Sequence, residues 1–283
     1  MMSKPVAITA DSPIDLTPEL AKQFNITIIP LYVGLADKTY RDGVDITPED
    51  IFKRYEEEKI IPRTSSISIA DYTDFFRSFT DKGMTVVHFS LSSEISSTHQ
   101  NALIAAEDLN DVYIFDSLNL STGIALLAEK ACKMRDNGFE AEKIFEAVRD
   151  LRGHICQSFV IDKLEFLRKG GRCSAMTALG ANMLSIHPSI EVRAGKLELA
   201  KKYRGKIETI QLNYIREQLN KHKDINLDTV FVCHSGISDI QLNAICSLVA
   251  EHLEFKEIIV TKAGCTISTH CGPDCLGFAY LTN

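Results

Sequence analysis

Three stretches of the chain collect the side chains that hold an oxyanion: TSSIS (64–68), SSEISST (92–98) and STHCGP (268–273). The first two stand where a helix is expected to begin. Free backbone N–H groups and the helix dipole both favour an anion there, and serine and threonine hydroxyls add donors without adding charge. The third supplies His270 beside a Gly-Pro turn. The middle stretch is the densest. The apolar run TVVHFS leads into Ser90, Ser92, Ser93, Ser96, Ser97 and Thr98 before the helical pattern NALIAAEDLN. One or two hydroxyls would cap a helix; six point to a pocket for a ligand with oxygens. Singly, each residue has a plainer explanation. Ser68 is an N-cap, Ser97 or Thr98 caps the next helix, and a histidine at an element end is a structural hydrogen-bonding group. Only the convergence of the three loops would make a carboxylate or phosphate site.

The elements that must position these loops alternate between strand and helix, which indicates a mainly parallel sheet flanked by helices. VAITA (6–10), ITIIPLYV (26–33), TVVHFS (85–90) and VYIFDS (112–117) read as strands. Thr17-Pro18 and Thr47-Pro48 open helices as N-cap and first helical residue. Beyond FVID (159–162) the texture changes. IHPSIEVRAGKLELAKKYRG reads as two strands turning at Ala194-Gly195, helices are expected near 206–222 and 239–253, and TVFVCHS, EIIVT and CTISTH (265–270) read as strands. The expected architecture is α/β with two domains, an N-terminal sheet domain over 1–158 carrying the Ser/Thr loops and a C-terminal α/β domain over 159–283 completing the site. Asp11-Ser12 and Asp116-Ser117 end strands with polar pairs, where open α/β sheets place ligands and where helices are also capped.

The balance of composition narrows the classes. A net charge of −7 opposes nucleic-acid binding, which needs a concentrated positive surface; the basic loop KKYRGK (201–206) is the local exception, suited to solvent or an acidic partner. No apolar run approaches a membrane span, and MMSKPVAITA reads as a first strand rather than a secretory leader, so a cytoplasmic location is expected. Cys265, His270, Cys271 and Cys275 cluster in sequence, but structural zinc sites favour paired C-x2-C arms and no second arm exists. Buried thiols are the expectation, with no metal. G-x-S-x-G, G-x-G-x-x-G and G-x-x-x-x-G-K-[ST] are all absent. A serine hydrolase pairing Ser96 or Ser93 with His270 is the alternative enzyme reading, since a triad is defined by geometry rather than motif.

Taken in order, ITADSPIDLTPEL, the DG of TYRDGVDI, PRTSSIS, HFSLSSEISSTHQNA, FDSLNLSTG, DKLEFLRKGGR, KKYRGK and HCGP resemble the DegV family of bacterial fatty-acid-binding proteins that serve fatty acid kinase. The resemblance runs over nearly the whole chain. It implies a non-enzymatic carrier that buries one long-chain fatty acid, needs no cofactor, and presents the carboxylate to a kinase for conversion to acyl-phosphate for phospholipid synthesis. An acyltransferase or a membrane surface would be a transient partner. By position, the carboxylate loops bring Thr64, Ser65, Ser96 and Thr98, with His270 as the third partner, and Arg172 of KGGR matches an arginine in contact with the kinase. Two departures stand out: Ser97 occupies the family's usual glycine after the loop serine, and HCGPDC places Asp274 at the last glycine of the histidine motif. Expected tail-lining residues are Ile67, Ile69, Phe75, Phe76 and Phe79, then Ile95 and Leu103, and in the second half Ala178, Leu179, Met183, Leu184 and Ile186.

Overall fold

The computed structural model describes residues 4–172 and 186–283; the expected lining residues Ala178, Leu179, Met183 and Leu184 lie outside them. The chain opens with β1 (Val6–Asp11), α1 (Pro18–Gln23) and β2 (Ile26–Ile29), then β3 (Tyr32–Leu35), β4 (Lys38–Arg41), α2 (Pro48–Glu58) and β5 (Arg63–Ser65). It continues through α3 (Ile69–Thr80), β6 (Thr85–Ser90), α4 (Thr98–Ala106), β7 (Val112–Asp116), α5 (Thr122–Asp136) and α6 (Ala141–Leu151). Next come β8 (Ile155–Val160), α7 (Leu164–Gly170), β9 (His187–Arg193), β10 (Lys196–Tyr203), α8 (Ile207–Leu219) and β11 (Ile225–Ser235). The described chain ends with α9 (Asp239–His252), β12 (Glu257–Lys262), α10 (Cys265–Cys271) and β13 (Cys275–Thr282).

Three sheets result. The first is wholly parallel, in the order β2-β1-β6-β7. Every residue of β6 is buried, as its unbroken β-branched and aromatic run requires of a strand covered on both faces. The second is mixed, in the order β10-β9-β8-β13-β11-β12, with only β11 and β12 parallel. A small antiparallel sheet, β4-β3-β5, completes the set. The helix α5 lies between the two larger sheets, contacting β1 and β6 on one side and β8, β11 and β13 on the other. Its buried residues include Ile124, Leu126, Leu127 and Ala128, apolar all round as an interlayer helix must be. Thr17 and Thr47 cap α1 and α2 as expected, with a full capping box between Thr47 and Asp50.

Several expectations are corrected. ITIIPLYV is two strands: Pro30, without an N–H, ends β2 in the first sheet, and β3 starts in the third. The strand read at FVID begins earlier, at Ile155, so residue 158 falls within β8, all of which pairs in the second sheet. CTISTH is not a strand but α10, a short helix, and the strand of this region is β13, which follows it.

The candidate functional site

β5 fixes the first hydroxyl loop. It pairs with β3 so that Thr64 lies opposite Val33 and Ser65 opposite Tyr32. Ser68 is then spent as the N-cap of α3, accepting from the Asp71 N–H at 3.1 Å. In the second loop most hydroxyls are also committed. Ser90 contacts His99 Nδ1 at 2.7 Å, Ser92 donates to the Gly195 carbonyl at 2.8 Å, and Ser93 donates to Asp116 at 2.6 Å. Thr98 is fully buried, its hydroxyl 2.7 Å from Ser96 Oγ, and its N–H donates to Ser96 Oγ at 3.2 Å. Ser97 donates to Ser66 at 3.1 Å and Asn101 to the Ile67 carbonyl at 2.7 Å, so the two loops are tied to each other. Of the six hydroxyls that drew attention in sequence, Ser96 and Ser97 line the cavity. The others build the walls that hold those two.

α10 brings the third element. Thr266, Ile267, His270 and Cys271 lie at the spacing of one helix face and all line the cavity. Two acids from the first half of the chain seize the start of this helix. Asp15 accepts from the Gly264 N–H at 2.8 Å, and Asp42 accepts from the N–H groups of Cys265 and Thr266 at 2.7 and 3.1 Å. These are donors that the first turn leaves unpaired. Ser12 steadies Asp42 from 2.9 Å and Ser121 donates to Asp15. Burial pushes the Asp15 carboxyl up to about 8.

The cavity so formed has a volume of about 310 Å³, within the usual ~300–1,000 Å³ of small-molecule sites. Its lining is mixed. Thr64, Ser65, Ser66, Ser96, Ser97, Thr266, His270 and Arg172 supply the polar atoms, and Ser65, Ser97 and Arg172 are exposed. Buried apolar side chains, Leu31, Leu91, Leu120, Phe159, Leu167 and Leu197, make the apolar wall. Leu31, Leu91 and Leu120 follow β2, β6 and β7, so the wall stands beyond the carboxyl ends of the parallel strands. A smaller apolar void of about 20 Å³ continues past Leu120, Phe159, Ile267 and Cys271.

His270 Nε2 lies 2.8 Å from Thr64 Oγ1. Its Nδ1 is buried and has no hydrogen-bond partner among the described residues. An orphaned buried N–H costs more than an unused lone pair, so the network places the ring proton on Nε2, donated to Thr64. The Thr64 hydroxyl hydrogen is then free to point into the cavity. Burial, helped by the Arg172 guanidinium, pushes His270 down to about 4, which keeps the imidazole neutral near pH 7. Arg172 is the only charged group among the described lining residues; it stands at the exposed rim, donating to the Gly170 carbonyl at 2.8 Å.

The structure thus brings together Thr64, Ser65, Ser96, His270 and Arg172, while Thr98 stands behind Ser96 outside the lining. The pairing needed by a serine hydrolase is not formed: Ser96 engages Thr98, and His270 engages Thr64. The Cys265 thiol donates to the Ile46 carbonyl, and among the described residues no three His, Cys, Asp or Glu side chains converge on a metal position. Of the expected tail-lining residues that are described, only Ile95 lines the cavity. Ile67 and Phe76 are central to the hydrophobic core, Phe75 and Phe79 pack against it, Ile186 is buried elsewhere, and Ile69 and Leu103 are exposed. Asp274 takes the left-handed backbone at φ 58°, which explains a glycine in that place. Asp162, Lys163 and Glu208 are the charges that face it, so its carboxyl belongs to the α7–α8 side and not to His270. Ser97, with φ −77°, needs no glycine.

The model of the family described as "Uncharacterised protein, DegV family" matches residues 5–283. A DegV domain-containing protein of Clostridium acetobutylicum is 30% identical, with 98% of each chain covered. A DegV family protein from Thermus thermophilus, described by its fatty acid binding, superposes with a TM-score of 0.87 at 27% identity, over 99% of this chain and 100% of that one. A stearic-acid-binding protein from Eubacterium ventriosum superposes with a TM-score of 0.86 at 25% identity, over 98% of both. With its parallel sheet, mixed second sheet and hydroxyl-lined cavity, the chain belongs to the DegV family.

Proposed function

We propose that the cavity holds one long-chain fatty acid, with its carboxylate between Thr64, Ser96 and His270 and its tail against the leucines and Phe159. One observation carries the reading: a single cavity brings the hydroxyls of Thr64 and Ser96 and the imidazole of His270 together with a set of buried leucines and Phe159. An alkyl chain leaving water contributes roughly 0.8 kcal/mol per buried CH₂, so a tail of about sixteen carbons supplies on the order of 10 kcal/mol before ordering costs. The carboxylate must be hydrogen-bonded or it takes up a proton. Thr64, released by the Nε2–H of His270, and Ser96 answer that need without an ion pair. Ser65 adds a hydroxyl at the rim, and Thr98 acts by holding Ser96.

Among the described residues no cation lies deep in the site, which suits a carrier. A carboxylate locked to lysine or arginine is a poorer nucleophile, whereas one held by hydroxyls and a neutral ring keeps its charge available for phosphoryl transfer. In this reading the protein works in the cytoplasm and presents its ligand to a fatty acid kinase, which phosphorylates the carboxyl group from ATP. The acyl-phosphate then passes to an acyltransferase or the membrane surface for phospholipid synthesis. Arg172 is the proposed kinase contact, a reading supported by its exposure among the cavity-lining residues. The test is denaturing extraction of the purified protein followed by mass spectrometry. The expected result is near-stoichiometric long-chain fatty acid in the parent protein and much less in His270→Ala; a parent protein free of lipid, and unable to take it up, rejects the reading. Arg172→Ala is expected to retain lipid and slow phosphorylation by the kinase; lost retention would place Arg172 in the pocket.

A further inference from the structure

α7 and α10 mate through two glycines, one on each side. A Cβ on Gly170, the last residue of α7, would lie 2.1 Å from His270 Nδ1 and 3.0 Å from its Cε1. A Cβ on Gly272, just after α10, would lie 2.7 Å from Cδ2 of Phe166 in α7. Each helix therefore presses a ring onto bare backbone of the other. Gly272 also has φ 72°, so its backbone favours glycine independently of space. Gly170 is not among the residues with positive φ, and alanine would be the better helix former. What forbids a side chain at Gly170 is the imidazole.

Nor can Gly170 draw back. The Gly171 N–H closes the end of α7 on the Leu167 carbonyl at 3.2 Å, and Arg172 Nη1 holds the Gly170 carbonyl at 2.8 Å. The ring is thus pinned between that backbone on its Nδ1 edge and Thr64 on Nε2. We propose that Gly170 is a positioning residue for the head-group site: its bare Cα seats the Nδ1 edge of His270, keeps any acceptor away from it, and so commits the ring proton to Nε2 and the Thr64 hydroxyl to the cavity. The functional meaning rests on the carboxylate reading above; the steric claim does not.

The experiment compares Gly170→Ala, His270→Ala and the double variant with the parent, titrating each with a fluorescent polyene fatty acid. ¹⁵N-histidine NMR of the ligand-free parent reports the His270 tautomer. Losing one well-placed hydrogen bond to a charged group corresponds to roughly tenfold or more in affinity. Gly170→Ala is expected to weaken binding by that amount, and to cost nothing further once His270 is alanine, because the Cβ then has space. The expected tautomer is Nε2–H. Additive losses in the double variant, unchanged affinity in Gly170→Ala, or an Nδ1–H tautomer in the parent would overturn the proposal. If Gly170→Ala alone does not fold, recovery of folding in the double variant supports the same steric coupling and its absence overturns it. Should His270→Ala bind as tightly as the parent, the carboxylate reading fails while the tautomer still reports on the seat.

Discussion

Thr64→Val is the sharpest perturbation of the site, because valine keeps the shape and removes only the hydroxyl. Thr64 sits on β5 opposite the fully buried Val33, a position that a β-branched residue suits. The hydroxyl has two duties. It accepts from His270 Nε2 at 2.8 Å, the ring's only hydrogen bond among the described residues, where Nδ1 has none. It also donates to the bound carboxylate in the proposed complex. Without ligand, the substitution leaves an N–H at the cavity wall unpaired, at a cost of about 1–3 kcal/mol. For a chain of 283 residues that lowers the melting temperature by roughly 2–6 °C. With ligand, the lost bond is to a charged group, worth about 1.5–3 kcal/mol, or roughly ten- to a hundredfold in Kd. Thr98→Val is the control. Its hydroxyl pairs with Ser96 but does not line the cavity, so stability should fall while affinity falls less. Differential scanning fluorimetry and displacement of a fluorescent fatty acid read the two quantities. A Thr64→Val protein that binds fatty acid as tightly as the parent would refute the carboxylate geometry, and one that also melts unchanged would refute the His270–Thr64 bond.

Three further outcomes follow from the same geometry. Asp15 titrates at about 8 when folded and near 3.8 otherwise, so the folded state holds its proton more tightly; the associated stability is complete below pH 4 and is lost as pH rises towards 8, by at most on the order of 5 kcal/mol. Urea titrations across that range should show this slope in the parent and a flatter one in Asp15→Asn, and parallel slopes would rule it out. His270, held near 4, should rise when an anion binds beside it, so fatty-acid binding near pH 5–6 should take up protons. Calorimetry in buffers of different ionisation enthalpy measures this, and equal uptake in His270→Ala would assign it elsewhere. Asp274→Gly relieves a left-handed backbone at φ 58° and should stabilise by roughly 1 kcal/mol without altering affinity; a weaker binder would show that the carboxyl acts on the site after all.

The hydroxyl loops were legible in the sequence because a serine or threonine run at a strand end has few structural uses, and two such runs do meet His270. The division of labour within them was not. Ser93 and Ser96 look alike in sequence, and only the fold sends one to Asp116 and the other to the cavity. The apolar lining was almost wholly missed. The phenylalanines of α3 promised a tunnel and supply core, whereas the actual wall uses single leucines after β2, β6 and β7, positions with no periodic signal. α10 was misread because Thr266, Ile267 and Thr269 favour strands by propensity. Two distant carboxylates capping its N–H groups override that preference, and contacts separated by more than 220 residues leave no local trace. Gly170 left a trace in KGGR, but the reason for it is steric and appears only with the ring in place.

The grip of Asp15 and Asp42 on α10 also orders events during synthesis. The receiving acids stand at positions 15 and 42, yet the helix they hold begins at Cys265, more than 220 residues later in the chain. A nascent chain therefore carries a half-walled trough and two acids without their helix until α10 has been made. Any product truncated before α10 lacks His270 and the helix that both acids hold, so the cavity stays open on that side.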